Sequence, residues 1–123
     1  MNRHFDSVII GAGQAGPPLA GRLTQAGQQV AVIERKLFGG TCVNTGCIPT
    51  KAMVASAHAA PIARRANDFG VKIQGSILVD RKAVKARRDA ISAKSRIAVE
   101  QWLRGMRTAQ SFMKRRASFT VDP

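Results

Sequence analysis

Cys42 and Cys47 are the only cysteines of the 123-residue chain, and both fall in one stretch, residues 39–51: Gly-Gly-Thr-Cys-Val-Asn-Thr-Gly-Cys-Ile-Pro-Thr-Lys. Paired sulfurs can be oxidised and reduced, attack a disulfide, or hold a metal, and the thiolate is the reactive form. Asn44, Thr45 and Gly46 form turns readily, so the chain can fold back between the two sulfurs. Pro49 suits the first turn of a helix, where its missing N–H costs nothing. N–H groups at a helix start favour a thiolate over a thiol. The stretch therefore reads as a small cysteine loop running into a helix. Bridging needs Cα atoms within about 7 Å. Five steps of continuous helix are too long for that, so the Gly46 turn is what permits a bond.

The cysteine loop must be positioned by the elements before it. Phe5 to Ile10 is a β-branched run read as a buried strand. It ends at Gly11-Ala12-Gly13-Gln14-Ala15-Gly16, and a helix follows over residues 15–26. Pro17 and Pro18 fall in its first turn. Leu19, Ala20, Leu23 and Ala26 make its apolar stripe, and Gly27 is a good residue to end it. Val30 to Ile33 is a second buried strand, closed by Glu34. This β-α-β unit predicts parallel strands and a right-handed crossover. A glycine fingerprint in this context binds a dinucleotide. Gly11 permits the tight turn, Gly13 lets the backbone approach a pyrophosphate, and Gly16 allows close helix–strand packing. The pyrophosphate sits on the helix N-terminus, and Glu34 accepts from the adenosine ribose hydroxyls. The acid disfavours a ribose 2′-phosphate, although Arg35 and Lys36 leave that point open.

A helix from Pro49 to Asn67 is predicted after the cysteine loop, rich in alanine, with a bend or break at residues 57–61 from the interior Pro61. Asp68-Phe69-Gly70 ends it, Val71-Lys72-Ile73 reads as a short strand, and Gly75-Ser76 as a turn. Asp80 is the expected N-cap of a long helix to Met106. Val84, Ile91, Ala98, Trp102 and Met106 form one apolar stripe of that helix, with Ala83, Ala90, Ile97 and Leu103 beside it. Residues 111–113 and 117–121 read as strand, split by Lys114-Arg115-Arg116. The fold class is α/β: a partial, doubly wound Rossmann-like domain with a long helical insertion.

The net charge is +13, and it is concentrated in the second half, where residues 61–123 carry fifteen basic and five acidic side chains. That half has no nucleic-acid motif and no aromatic stacking set. It reads as a solvated helix face, or a surface meeting acidic partner segments, and neither nucleic acid nor membrane is an expected partner. No apolar run approaches the roughly 20 residues that span a bilayer. No leader is visible, so the cytoplasm is expected, where a close cysteine pair is more often catalytic, redox-sensing or metal-binding than structural. Three uses of the pair stay open: a redox disulfide beside a flavin, a metal site, and plain thiols. A closed zinc site needs four ligands. Only His4 and His58 could join the cysteines, at spacing unlike a finger or ribbon, so no metal site is expected.

Residues 40–51, taken with the fingerprint and Glu34, resemble the active-site signature and FAD-domain start of the class I pyridine nucleotide–disulfide oxidoreductases. That family includes dihydrolipoamide dehydrogenase, glutathione reductase and mercuric reductase. Residues 102–106, Trp-Leu-Arg-Gly-Met, suit a mercuric-reductase-like branch. The resemblance implies FAD as cofactor, NAD(P)H as co-substrate, a small-molecule disulfide or metal-ion substrate, and homodimers of the full-length chain. It implies that Cys47 lies over the isoalloxazine ring as the charge-transfer thiolate, and that Cys42 is the interchange thiol. Lys51 would stabilise the reduced flavin, while Gly40 and Thr41 would contact the pyrophosphate region.

The family's chains are several times longer. Residues 1–123 would be the N-terminal part of an incomplete FAD-binding domain, without the NAD(P)H and dimerisation domains. His4 and His58 do not match the family's acid/base histidine, and Pro61 and the Lys114-Arg115-Arg116 run are further departures. Two functions of different class follow. One is a segment of an FAD disulfide reductase, inactive alone. The other is a non-enzymatic remnant or thiol/disulfide binding module.

Overall fold

The structure, a computed structural model, describes residues 4–106 and the backbone of 109–113. Three parallel strands form one sheet in the order β1 (Ser7–Ile10), β2 (Val30–Glu34), β3 (Ala109–Met113). Between β1 and β2 runs α1 (Gly16–Gln25). Between β2 and β3 run α2 (Gly40–Asn44), α3 (Cys47–Arg64), a 3-10 turn at Ala66–Phe69, and α4 (Arg81–Gly105). The α/β class and the β-α-β start are as the sequence implies.

Alternation along the strands sorts the side chains. Ile9, Val30 and Val32 face the helices and join Ala12, Ala20, Phe38 and Leu103 in the core. Register pairs Ile9 with Val32, so this face is continuous. Val8 and Ile10 point the other way and are about half exposed, at 50% and 56%. The core therefore lies on one face of the sheet, under α1 and the C-terminal half of α4. A methyl on Gly21 of α1 would stand 3.5 Å from Met106 and 3.7 Å from Trp102, so the two helices meet closely there.

Several expectations fail for identifiable reasons. The third helix starts at Cys47, two residues before Pro49, so Pro49 occupies its first turn and is buried. Helix α2, with Cys42 at its centre, was not anticipated; it is only five residues long and carries no helical period to read. Pro61 does not break α3, which continues to Arg64. Ala57, whose carbonyl loses its amide partner at the proline, lies at the surface where water can serve it. Residues 71–73 form no strand, because no neighbouring strand among the described residues offers them hydrogen bonds. On α4 the stripe holds at the C-terminal end, where Leu103 is buried and Met106 packs on the core beside Val99, and departs elsewhere: Ser92 is buried, whereas Ile97 and Trp102 are each 49% exposed. Asp80 caps α4 as expected, accepting from Lys82 N at 2.8 Å and Ala83 N at 3.1 Å. Of the two predicted final strands, β3 covers the first and begins earlier; residues 117–121 and the Lys114-Arg115-Arg116 run lie outside the described residues.

Leu103 has no exposed surface and joins α4 to the sheet. Leu103→Ala should lower unfolding free energy by about 2–5 kcal/mol, as buried leucine truncations do. A urea titration showing a loss below about 1 kcal/mol would place the core elsewhere.

Candidate functional site

The site starts at the glycine-rich turn. Gly11 has φ +101°, a conformation open to glycine at little cost. A methyl on Gly16 would lie 2.2 Å from the Gly11 carbonyl oxygen, so no larger residue fits. That contact brings the first turn of α1 against the end of β1. Glu34 closes the other side. It is 8% exposed, and its Oε2 accepts from Ala12 N at 2.9 Å while Oε1 accepts from Lys36 N at 2.8 Å. The carboxylate thus joins the end of β2 to the turn. Each oxygen retains a second acceptor position for a ligand hydroxyl. The amides of Gly13, Gln14 and Ala15 find no acceptor among the described residues, and no side chain caps α1.

The cysteine loop is set directly on this turn. Gly39 N donates to Ala12 O at 2.7 Å, and Gln14 Nε2 donates to Gly39 O at 3.4 Å. A methyl on Gly40, which has φ +61°, would lie 2.8 Å from the Gly13 Cα, so two backbones touch where both residues are glycine. Asn44 ties the loop shut: its Nδ2 donates to Phe38 O at 2.9 Å and to Gly40 O at 2.8 Å. Thr45 N and Gly46 N both donate to Thr41 O, at 2.9 and 2.7 Å. This turn between α2 and α3 holds Cys42 and Cys47 with Cα atoms 4.6 Å apart, and they form a disulfide. The fold-back replaces the five helical steps that would have kept the sulfurs apart. Cys42 is half-buried and Cys47 is exposed. Lys51 is exposed as well, one turn beyond Cys47 on the same face of α3.

Glu34, Gly40 and Thr41 share the wall of a cavity of about 310 Å³, with Lys36 and Asn44 beside them. Gly13 adjoins it through the Gly40 contact, while Gly11 and Gly16 shape the turn behind. Lys51 and the two cysteines are not on that wall. Reading the sequence missed Phe38, and gave Asn44 a turn-forming role without its hydrogen bonds to Phe38 O and Gly40 O. Phe38 is 1% exposed and anchors the loop to the core; an aromatic residue just ahead of Gly39-Gly40 was the available signal. Arg87 was missed too: its Nη1 donates to Ala52 O at 2.8 Å and fixes α4 against α3. No three His, Cys, Asp or Glu side chains cluster as a metal set among the described residues. No helix among them is long and apolar enough to cross a membrane.

Comparison with known proteins gives matches over most of the chain. The family model for pyridine nucleotide-disulphide oxidoreductase matches residues 5–115. A dihydrolipoyl dehydrogenase of Rhizobium etli is 44% identical over 94 residues, which is 76% of this chain and 20% of the relative. One of Chlamydia muridarum is 45% identical over 91 residues, or 74% of this chain and 19% of the relative. Among solved structures, the Cu(II) complex of the HOCl-induced flavoprotein disulfide reductase RclA from Escherichia coli superposes with a TM-score of 0.72 at 31% identity, covering 92% of this chain and 22% of that one. The chain thus spans about a fifth of the length of these relatives.

Glu34→Ala leaves the fully buried Ala12 amide without its acceptor and should cost about 1–3 kcal/mol in a denaturant titration. Glu34→Gln, which keeps one acceptor oxygen, should cost less. Equal stability of wild type and Glu34→Ala would mean that the carboxylate does not hold the turn.

Proposed function

Because the chain belongs to the pyridine nucleotide-disulphide oxidoreductase family, we propose that it is the N-terminal FAD-binding and redox-disulfide segment of a flavoprotein disulfide reductase. On this reading residues 1–123 are an incomplete FAD-binding domain, and turnover belongs to a longer protein that also binds NAD(P)H and pairs as a homodimer. The observation that carries the reading is the backbone contact of Gly13 with Gly40, which sets a dinucleotide turn directly beside a disulfide.

The residues fit FAD. The free amides of Gly13, Gln14 and Ala15 and the uncapped start of α1 suit a pyrophosphate, with Gly11 and Gly16 giving the turn its shape. Glu34 has acceptor capacity for ribose hydroxyls, and Gly40 and Thr41 line the same cavity. Lys51 suits an anionic ring edge. When bound, FAD supplies the electron pair that opens the disulfide. Two electrons and one proton convert the Cys42–Cys47 bond to a Cys42 thiol and a Cys47 thiolate. The N-terminus of α3, where Cys47 is the first residue, favours that thiolate.

Cys42, once deprotonated, attacks a substrate disulfide: one sulfur leaves as thiolate and the other stays bonded to Cys42. The Cys47 thiolate then attacks the Cys42 sulfur, restoring the intramolecular bond and releasing the second thiolate. A thiophilic or redox-active metal ion is an alternative substrate for the reduced pair, in keeping with the copper complex of RclA.

Purified chain incubated with FAD and passed through gel filtration should elute yellow, with bound flavin absorption in the visible. Colourless elution contradicts FAD binding by this segment. In the flavin-loaded chain a long-wavelength absorption band should appear on two-electron reduction of the wild type, be present without any reductant in Cys42→Ser, where Cys47 is already a free thiol, and be absent in Cys47→Ser; the reverse pattern would exchange the two roles.

A further inference from the structure

Opening the Cys42–Cys47 bond removes the cross-link between α2 and α3, and the two sides of that link are held very unequally. Cys47 starts α3, an 18-residue helix with Pro49 and Ala52 buried, and Arg87 Nη1 fastens Ala52 O to α4 at 2.8 Å. Cys42 sits in the middle of α2, which has five residues and no side-chain cap at its start. A helix that short does not persist by itself. Glycines stand on both sides of Cys42, Gly39 and Gly40 before it and Gly46 after it, and glycine loses the most conformational freedom on ordering. Val43 is 3% exposed and gives α2 an apolar footing, but apolar burial is non-directional.

Direction comes from Asn44. Its Nδ2 donates to Phe38 O at 2.9 Å and to Gly40 O at 2.8 Å, so the last residue of α2 is bonded back to the segment that leads into it. Phe38 is buried, which fixes that segment to the core. Asn44 Oδ1 is buried and has no hydrogen-bond partner. Buried polar atoms are nearly always satisfied, and here the amide serves through its two donors alone. Turning it over would set its oxygen against two carbonyls. A second side-chain hydrogen bond from within the loop, Thr45 Oγ1 to Thr41 O, is exposed and 3.5 Å long. Thr45 N and Gly46 N bond Thr41 O at 2.9 and 2.7 Å and place the turn that leads to Cys47. Asn44 thus holds the Cys42 side of the loop and α3 holds the Cys47 side, neither of them through the disulfide.

We infer that Asn44 is a positioning residue for the redox step: it keeps Cys42 beside Cys47 after their bond has opened, and so lowers the reduction potential of the pair. The inference rests on the pair being one that opens and closes, and not on flavin binding. Closing the bond needs both sulfurs in contact, so its equilibrium constant rises with the time the reduced loop spends closed. In the oxidised chain the disulfide itself holds α2 against α3. Loss of the Asn44 donors is therefore felt most in the reduced chain, where the loop opens and the thiols separate. Reduction then becomes easier and the potential rises.

The test equilibrates the whole chain, without oxygen, in mixtures of reduced and oxidised glutathione, then traps free thiols with iodoacetamide and counts them by mass. Two glutathione thiols give the electron pair and two protons that open the bond, and leave as glutathione disulfide. Asn44→Ala should shift the equilibrium toward the dithiol about tenfold, a rise of about 30 mV. Asn44→Asp, of the same length but without a donor at neutral pH, should shift it at least as far. Val99→Ala trims the core and leaves the loop alone, and should not shift it. In the reduced wild type the Thr45 and Gly46 amides should stay protected from hydrogen exchange. Loss of that protection on reducing the wild type overturns the inference, even if a variant fails to fold. An equal shift in Val99→Ala overturns it as well. An unchanged potential in Asn44→Ala overturns this inference alone, whereas a pair that opens but never re-forms in oxidised glutathione overturns the redox reading with it.

Discussion

Everything about this site depends on two glycines being allowed to touch. Gly40 and Gly13 approach so closely that a methyl on Gly40 would come within 2.8 Å of the opposite Cα. Gly39 N, bonded to Ala12 O at 2.7 Å, locks the approach. One chain segment ends a β-strand and begins a helix. The other carries a disulfide. Neither has side chains at the contact, so the distance between the glycine turn and the disulfide loop is set there by backbone. Side-chain rearrangement alone does not alter it, which suits the electron transfer proposed above.

The supporting interactions share a pattern. Glu34 is a buried carboxylate satisfied by two backbone N–H groups, and Asn44 is an amide satisfied at one end by two backbone carbonyls. Each ties together loop segments that regular secondary structure leaves unpaired. Phe38 then fixes the loop to the core from below, beside Val32 and Leu103. The helices that radiate from this centre start without side-chain caps, α4 excepted. Uncapped starts leave amide groups and positive dipole ends available to an anion. Three of them surround the glycine turn and the disulfide.

Local chemistry was legible in the sequence and long-range packing was not. Gly16, Gly27 and Asp80 have roles dictated by neighbouring backbone, and each occupies the place that its type implies. The closing of the cysteine pair also followed from local turn formers. Helix α2 and the Asn44 knot did not, because a five-residue helix has no readable period and the knot depends on where Phe38 is held. Pro61 misled for a related reason: its cost depends on whether water reaches the carbonyl it strands, which is a matter of tertiary exposure. On α4 the spacing placed Leu103 and Met106 correctly against the core, whereas Ser92 is buried and Ile97 half exposed against its pattern. Arg87, read as part of a solvated charge face, turns out to be bonded to α3.

The central claim is that the glycine turn and the disulfide loop act as one site. Backbone amide shifts measured during an FAD titration test it most directly. The account predicts that Gly13, Gln14 and Ala15 shift together with Thr41 and Cys47, along one saturation curve. Shifts confined to residues 11–16 and 34, with the disulfide loop unmoved at saturation, would contradict it.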